Sequence, residues 1–247
     1  MNTHPCFTLP TRCVVVPMAA CGMLLLGLGA SAADPLPPAN TNAFTAQVDP
    51  AWRTLFDGKT LSGWKVTGFA GHGEVEVKEG RIVLPMGAML TGVTYTNELP
   101  KLDYEVSLEA MKIEGSDFFC GLTFPVSNAF CSLIVGGWGG GLVGLSSIDG
   151  YDASENETTR FMSFEKNRWY AIRLKVTKER IEAWIDKERM INQSIVDRRI
   201  SLRAGEIEAS VPLGIATYQV TGALRDLKIR PLAPVPGSPE TARPPAQ

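Results

Sequence analysis

The chain has 247 residues, 24 basic and 26 acidic side chains and a net charge of −2. Such a near-neutral, slightly acidic balance argues against nucleic acid and anionic membrane surfaces as partners, because both select basic patches. The length allows one large all-β domain or two small domains.

The N-terminus reads as an export signal. Arg12 precedes an apolar run from Cys13 to about Gly29, and Ala30, Ser31 and Ala32 supply a small-x-small cleavage pattern. Residues 1–32 are therefore assigned to a signal peptide. No transmembrane segment is expected in the mature chain, because the run contains Pro17 and several glycines and ends at the cleavage pattern. Cleavage removes Cys6, Cys13 and Cys21 and leaves Cys120 and Cys131 in a periplasmic, secreted or cell-envelope setting, where disulfides persist. Residues 33–50 are a Pro- and Ala-rich linker, and residues 233–247 form a Pro-rich tail expected to be disordered. Between them, residues 51–232 show no second break in composition and read as one domain.

That domain reads as strands. Trp52 to Phe56 runs into the turn Asp57-Gly58, and Leu61 to Val66 continues beyond it. Glu74 to Leu84 alternates on both sides of Glu79-Gly80, which predicts a hairpin. Tyr104, Val106, Leu108 and Ala110 share one face of the next strand, and Glu105, Ser107 and Glu109 share the other. Phe118 to Phe124 and Ala129 to Val135 form a hairpin around Pro125 to Asn128. In the later hairpin Tyr170, Ile172, Leu174 and Val176 point inward, as do Ile181, Ala183 and Ile185. Val211 to Thr217 and Leu224 to Arg230 close the domain, and a short helix is placed around Asp197 to Leu202. Many short strands with turn punctuation predict an all-β, two-sheet antiparallel jelly-roll sandwich with at most one short helix.

The densest glycine cluster lies between these strands. Of the six residues from Gly136 to Gly141, only Trp138 is not glycine. Gly139, Gly141 and Gly144 match a dinucleotide fingerprint by letter, but the chain continues as a short β-like stretch rather than the helix that would hold a pyrophosphate. The cluster therefore reads as a bend between sandwich strands that carries Trp138, an aromatic ring suited to stacking on a sugar.

Several side chains are candidates for chemistry. Glu105 and Glu109 lie about 13 Å apart along a regular strand, whereas glycosidase carboxylates stand about 5–10 Å apart. A bulge or a partner such as Glu182 would be needed to form a pair, and a solvated strand face is the alternative reading. Trp169, Arg173, Lys175 and Trp184 lie on non-core faces, where rings and charges could bind a sugar or be covered by packing. Asp149, Asp152 and Glu155 form an acidic loop with Tyr151, a further substrate-binding candidate, among them, and Ca²⁺ is the one cofactor that the loop suggests. The spacing is not that of an EF-hand, so a solvated turn is the other reading. His72, between Gly71 and Gly73, is the mature chain's one histidine and an acid–base candidate. Cys120 and Cys131 are expected to form a cross-strand disulfide, with two buried thiols as the alternative.

The stretch from Leu55 through Phe56, Asp57, Gly58 and Leu61 to Trp64 resembles the opening of the 3-keto-disaccharide hydrolase domain family. Trp169, Trp184 and the closing run Leu224 to Leu232 extend the resemblance over residues 52–232, while residues 118–165 depart from the pattern. The resemblance implies a concanavalin A-like jelly roll in an exported bacterial protein that acts on a keto-disaccharide or related glycan. A ketone at C3 acidifies the C2 hydrogen, so cleavage by elimination and hydration needs a base, a group polarising the ketone and an aromatic floor. Glu105, Glu109, Glu182 and His72 are the base candidates. Arg173 and Lys175 are candidates for the developing oxyanion, and Trp138 and Trp184 for the floor. A non-catalytic carbohydrate-binding sandwich and a cell-envelope adhesion module remain alternatives.

Overall fold

The computed structural model describes residues 50–233, so the assigned signal peptide, the linker before Pro50 and the tail beyond residue 233 lie outside the described residues. Two antiparallel sheets pack face to face in a jelly-roll sandwich. In spatial order, sheet A carries β13 (Glu188–Ser194), β12 (Arg180–Ile185), β11 (Trp169–Val176), β6 (Tyr104–Gly115), β15 (Val220–Pro231), β4 (Arg81–Leu84) and β3 (Glu76–Lys78). A two-residue strand, β1 (Arg53–Thr54), also pairs with β15. Sheet B carries β10 (Arg160–Phe161), β9 (Leu142–Ser146), β8 (Ala129–Gly137), β7 (Cys120–Val126), β14 (Leu213–Tyr218), β5 (Leu90–Tyr95) and β2 (Trp64–Val66).

Alternation decides what lies between the sheets. Tyr104, Val106, Leu108 and Ala110 on β6 are buried, as are Tyr170, Ile172, Leu174 and Val176 on β11. They meet Leu122 and Phe124 of β7, Leu133 and Val135 of β8, and Val143 and Leu145 of β9 in one continuous core. Burial of this kind contributes roughly 25 cal/mol per Å² of apolar surface. Tyr104 spans the two layers: its hydroxyl donates to the Pro125 carbonyl at 2.6 Å, so the one polar atom on a fully buried ring is satisfied.

The opening motif closes one end of this core. The Asp57 carboxylate accepts the Lys59 and Thr60 amides, each at 2.8 Å, and these bonds, Thr60 first, hold its pKa below the usual carboxylate value. The chain thereby turns so that Trp64 is buried, with its indole N–H donating to the Leu55 carbonyl at 2.7 Å. The Trp64 ring meets Tyr95 edge-on at 5.1 Å, and the Leu55 amide donates to Leu227 of β15 at 2.8 Å. The motif is a structural latch.

Two expectations are corrected. Residues 197–202 form no helix; the helical turn is a 3₁₀ segment at Glu206–Ser210. Cys120 and Cys131 are both free thiols. The β7–β8 hairpin closes between Val126 and Ala129, which places Cys131 opposite Phe124 and Cys120 opposite Val135. Four residues of strand therefore separate the two positions, about 13 Å, well beyond the roughly 7 Å limit for a disulfide. Burial pushes both thiols up to about 12. At about pH 8 neither thiol of the native protein should react with a thiol reagent, and both should react after denaturation. A melting temperature that falls on adding reductant would contradict this assignment.

Candidate functional site

The outer face of sheet B is built to be covered. Many of its outward positions hold small residues: Thr94 on β5, Thr123 on β7, Ser132 on β8, Gly144 and Ser146 on β9, and Gly214 and Ala216 on β14. At two of these positions only glycine fits. A Cβ on Gly144 would stand 2.8 Å from the Ala153 carbonyl oxygen, and one on Gly214 would stand 2.5 Å from that of Ser210. The 149–160 loop and the 203–210 segment therefore lie directly on the sheet.

Between these covers runs a cleft of about 480 Å³, within the roughly 300–1,000 Å³ typical of small-ligand sites. Ser132, Ile134 and Ser146 line its floor. Met89, Phe118 and Tyr218 form an apolar wall, with the Phe118 and Tyr218 rings stacked at 5.8 Å. Asp152, Arg203 and Glu206 stand on another side, and Asp117 and Trp138 at the glycine-rich turn.

Trp138 joins β8 to β9 in the left-handed region, at φ 47°, and is 44% exposed. That conformation costs a non-glycine residue of order 1 kcal/mol, and it holds a large ring at the cleft. Asp117 is fixed beside it. One carboxylate oxygen accepts the Phe118 amide at 2.7 Å, and the other takes a longer contact from the Gly139 amide at 3.4 Å.

Asp152 accepts the Ser146 hydroxyl and the Ala153 amide on one oxygen and Arg203 on the other, the last at 2.6 Å. Its side chain is largely covered, whereas Arg203 is exposed. Asp152 thus anchors a guanidinium that faces the cleft. Glu206 begins the 3₁₀ turn and is exposed.

Behind the glycine-rich turn, Lys112 is buried at the end of β6, and its amine lies against Gly140. Burial first, and Lys166 second, lower its pKa. Among the described residues no carboxylate pairs with it.

The candidates named from sequence divide between two faces. Trp138 and Asp152 line the cleft. Glu105, Glu109, Glu182, Trp169, Trp184, Arg173 and Lys175 lie together on the outer face of sheet A, remote in the fold from the cleft. There Glu105 is buried and accepts Arg173 at 3.1 Å and Arg230 at 2.8 Å. Glu109 pairs with Arg225, and Glu182 pairs with Lys175 and Arg189. Arg173 stacks on Trp184 at 3.6 Å and Arg225 on Trp169 at 4.1 Å, so each ring has one face occupied.

The acidic loop is not gathered as a ligand set. Asp149 accepts the Arg199 amide at 2.7 Å and Arg198 at 2.6 Å, which hold its pKa below the usual range, while Asp152 is bound to Arg203. Glu155 and Tyr151 are exposed. Among the described residues no three His, Cys, Asp or Glu side chains converge as they would around a metal ion. Asn156 ties the loop instead, with its amide donating to the carbonyls of Leu145, Tyr151 and Asp152. His72 is exposed, with Nδ1 2.8 Å from the Gly73 carbonyl oxygen, and does not line the cleft.

Asp117, Phe118, Arg203, Glu206, Tyr218 and Met89 were not singled out from the sequence. The Arg203-Ala204-Gly205-Glu206 turn was the available signal, a charged, glycine-containing link between apolar segments.

Together, these features define a two-sheet β-sandwich domain with a cleft on the outer face of one sheet. Residues 51–230 match the model of the 3-keto-alpha-glucoside-1,2-lyase-like domain, and the chain belongs to that family. No curated protein matches the sequence. Among solved structures it is similar to the carbohydrate-binding module CBM66 from Bacillus subtilis, at 10% identity and TM-score 0.48, over 68% of this chain and 95% of that one. It is also similar to Crh5 transglycosylase, at 10% identity and TM-score 0.50, over 76% of this chain and 86% of that one. A glycosyl hydrolase family protein from Mycobacterium fortuitum matches at 7% identity and TM-score 0.45, over 73% and 98% respectively. At such identities the likeness is one of fold.

Gly144→Ala should lift the 149–160 loop and cost about 1–3 kcal/mol in urea unfolding, with faster proteolysis of that loop; unchanged stability and cleavage would contradict the close packing. Lys112→Met should raise the melting temperature at neutral pH. The folded-state pKa of Lys112 is lowered, so its charge opposes folding at low pH, and that penalty fades as pH rises from the lowered value toward about 10.4. The advantage of Lys112→Met should shrink over the same window, and a variant less stable than the parent at neutral pH would contradict it.

Proposed function

We propose that this domain is an exported enzyme that cleaves 3-keto-glycosides in the cleft on sheet B. The observation that carries the reading is the convergence of Trp138, a fixed carboxylate and an anchored arginine in one cleft of a chain belonging to this family. The N-terminal signal pattern supports export to the periplasm or beyond.

The chemistry follows from the ketone. Removing the C2 proton places charge on the C3 oxygen. Collapse of that enolate forms the C1–C2 double bond and expels the glycosidic oxygen, which takes up a proton. Water added back across the double bond gives the free keto-sugar.

Asp117 is assigned as the base, because one of its oxygens is anchored by the Phe118 amide and the other has only the long Gly139 contact. Arg203 is assigned to the enolate oxygen, where a cation held in place by Asp152 stabilises developing charge. Asp152 and Ser146 position that arginine, and Trp138 provides the apolar floor for the C–H face of the sugar.

The test is turnover of a 3-keto-disaccharide by the full chain and its variants. Asp117→Asn should lower kcat by about 10²–10⁴ and Arg203→Gln by about 10²–10³, while Trp138→Ala should act mainly on KM. Loss of turnover in Glu206→Gln but not in Asp117→Asn would move the base to Glu206. Binding without turnover in the parent would make the domain a carbohydrate-binding module instead.

A further inference from the structure

The cleft leaves unused a second polar surface, the outer face of sheet A. Each of two largely covered carboxylates there is bracketed by two cations: Glu105 by Arg173 and Arg230, and Glu182 by Lys175 and Arg189. Each triad carries one positive charge in surplus. Arg225 faces Glu109, with Asp226 at 3.9 Å. Arg180 on β12 and Lys228 on β15 add cations with no carboxylate within ion-pair distance among the described residues; Arg180 donates to Asn192, and Lys228 lies over Trp52 at 5.4 Å.

The cations are also held in place. Arg173 is pinned between Glu105 and the Trp184 ring, Arg225 between Glu109 and Trp169, and Arg230 between Glu105 and Trp52. Pinning removes rotamer freedom that binding would otherwise have to remove. Arg225 meets Glu109 through Nε, which leaves the other edge of the guanidinium directed away from that carboxylate. Arg173 on β11 and Arg225 on β15 are separated by β6, so cations recur about 10 Å apart across the strands.

We propose that this face binds an acidic polysaccharide, a chain of sugars bearing carboxylates, at a site separate from the cleft. A polymer can place several carboxylates over the lattice at once, whereas a single acidic sugar would meet one cation. Nucleic acid fits less well, because base stacking needs open rings and these indoles are covered by guanidinium groups. A membrane fits less well too, because this face presents paired charges, and the exposed Trp138 and Met89 line the cleft instead. The site would hold the enzyme against an anionic glycan matrix while the cleft works on a neutral keto-sugar.

The test is affinity electrophoresis of the full chain in gels containing polygalacturonate, neutral dextran or no polymer, with co-sedimentation on phosphatidylserine vesicles. The variant is Lys175→Gln/Arg180→Gln/Lys228→Gln, which leaves Arg173 and Arg230 on Glu105 and Arg189 on Glu182. Polygalacturonate should retard the parent chain, and dextran should not. Retardation should vanish at about 0.5 M salt, where charges are screened within a few ångströms. The triple variant should bind about tenfold more weakly, as expected when several cationic contacts are lost, with an unchanged circular dichroism spectrum and unchanged turnover in the cleft. Absence of retardation, retardation insensitive to salt or to the triple variant, or vesicle binding at least as strong would each overturn the proposal.

Discussion

The architecture depends on the removal of side-chain bulk from one outer face of one sheet. Sheet B needs apolar residues inward, like any sandwich layer, but it also carries glycine, alanine, serine and threonine outward along β5, β7, β9 and β14. Without those small residues, the 149–160 loop and the 203–210 segment would stand a side chain's width away from the sheet. The cleft exists because the two covers lie flat on the strands and leave a gap between them. Trp138 reaches the gap because the turn around it is almost all glycine, which lets the backbone bend sharply and leaves the ring uncrowded.

Sheet A resolves the opposite problem. Its outer face carries charge rather than small residues, and the charges are matched to one another. A carboxylate as buried as Glu105 would be costly if unpaired, and two arginines satisfy both of its oxygens. The tryptophans on this face cover the guanidinium planes and are covered by them. Outwardness alone therefore did not identify a sugar platform. The ring with an open approach, Trp138, is the one surrounded by glycine and not by arginine.

The sandwich was legible in the sequence because alternation is a local signal: Tyr104 to Ala110 and Tyr170 to Val176 announce their buried face without reference to the rest of the chain. The family resemblance was legible for the same reason, since Leu55 to Trp64 is a contiguous latch. The cleft was legible in part. Trp138 and Asp152 stand out in the sequence, but Asp117 comes from the β6–β7 connection and Arg203 and Glu206 from the β13–β14 connection, and only the covering of sheet B brings them together. The separation of Cys120 from Cys131 was not legible, because the position of the turn in the β7–β8 hairpin sets the register and a strand pattern alone does not fix it.

The central claim is that the sugar is handled on sheet B and not on sheet A. The most direct measurement is the position of a bound 3-keto-glucose in crystals of the domain. The account predicts the sugar ring against Trp138, with its ketone oxygen toward Arg203 and its C2 hydrogen toward Asp117. A sugar seated over Trp184 or Trp169 on sheet A, with the cleft empty, would contradict it.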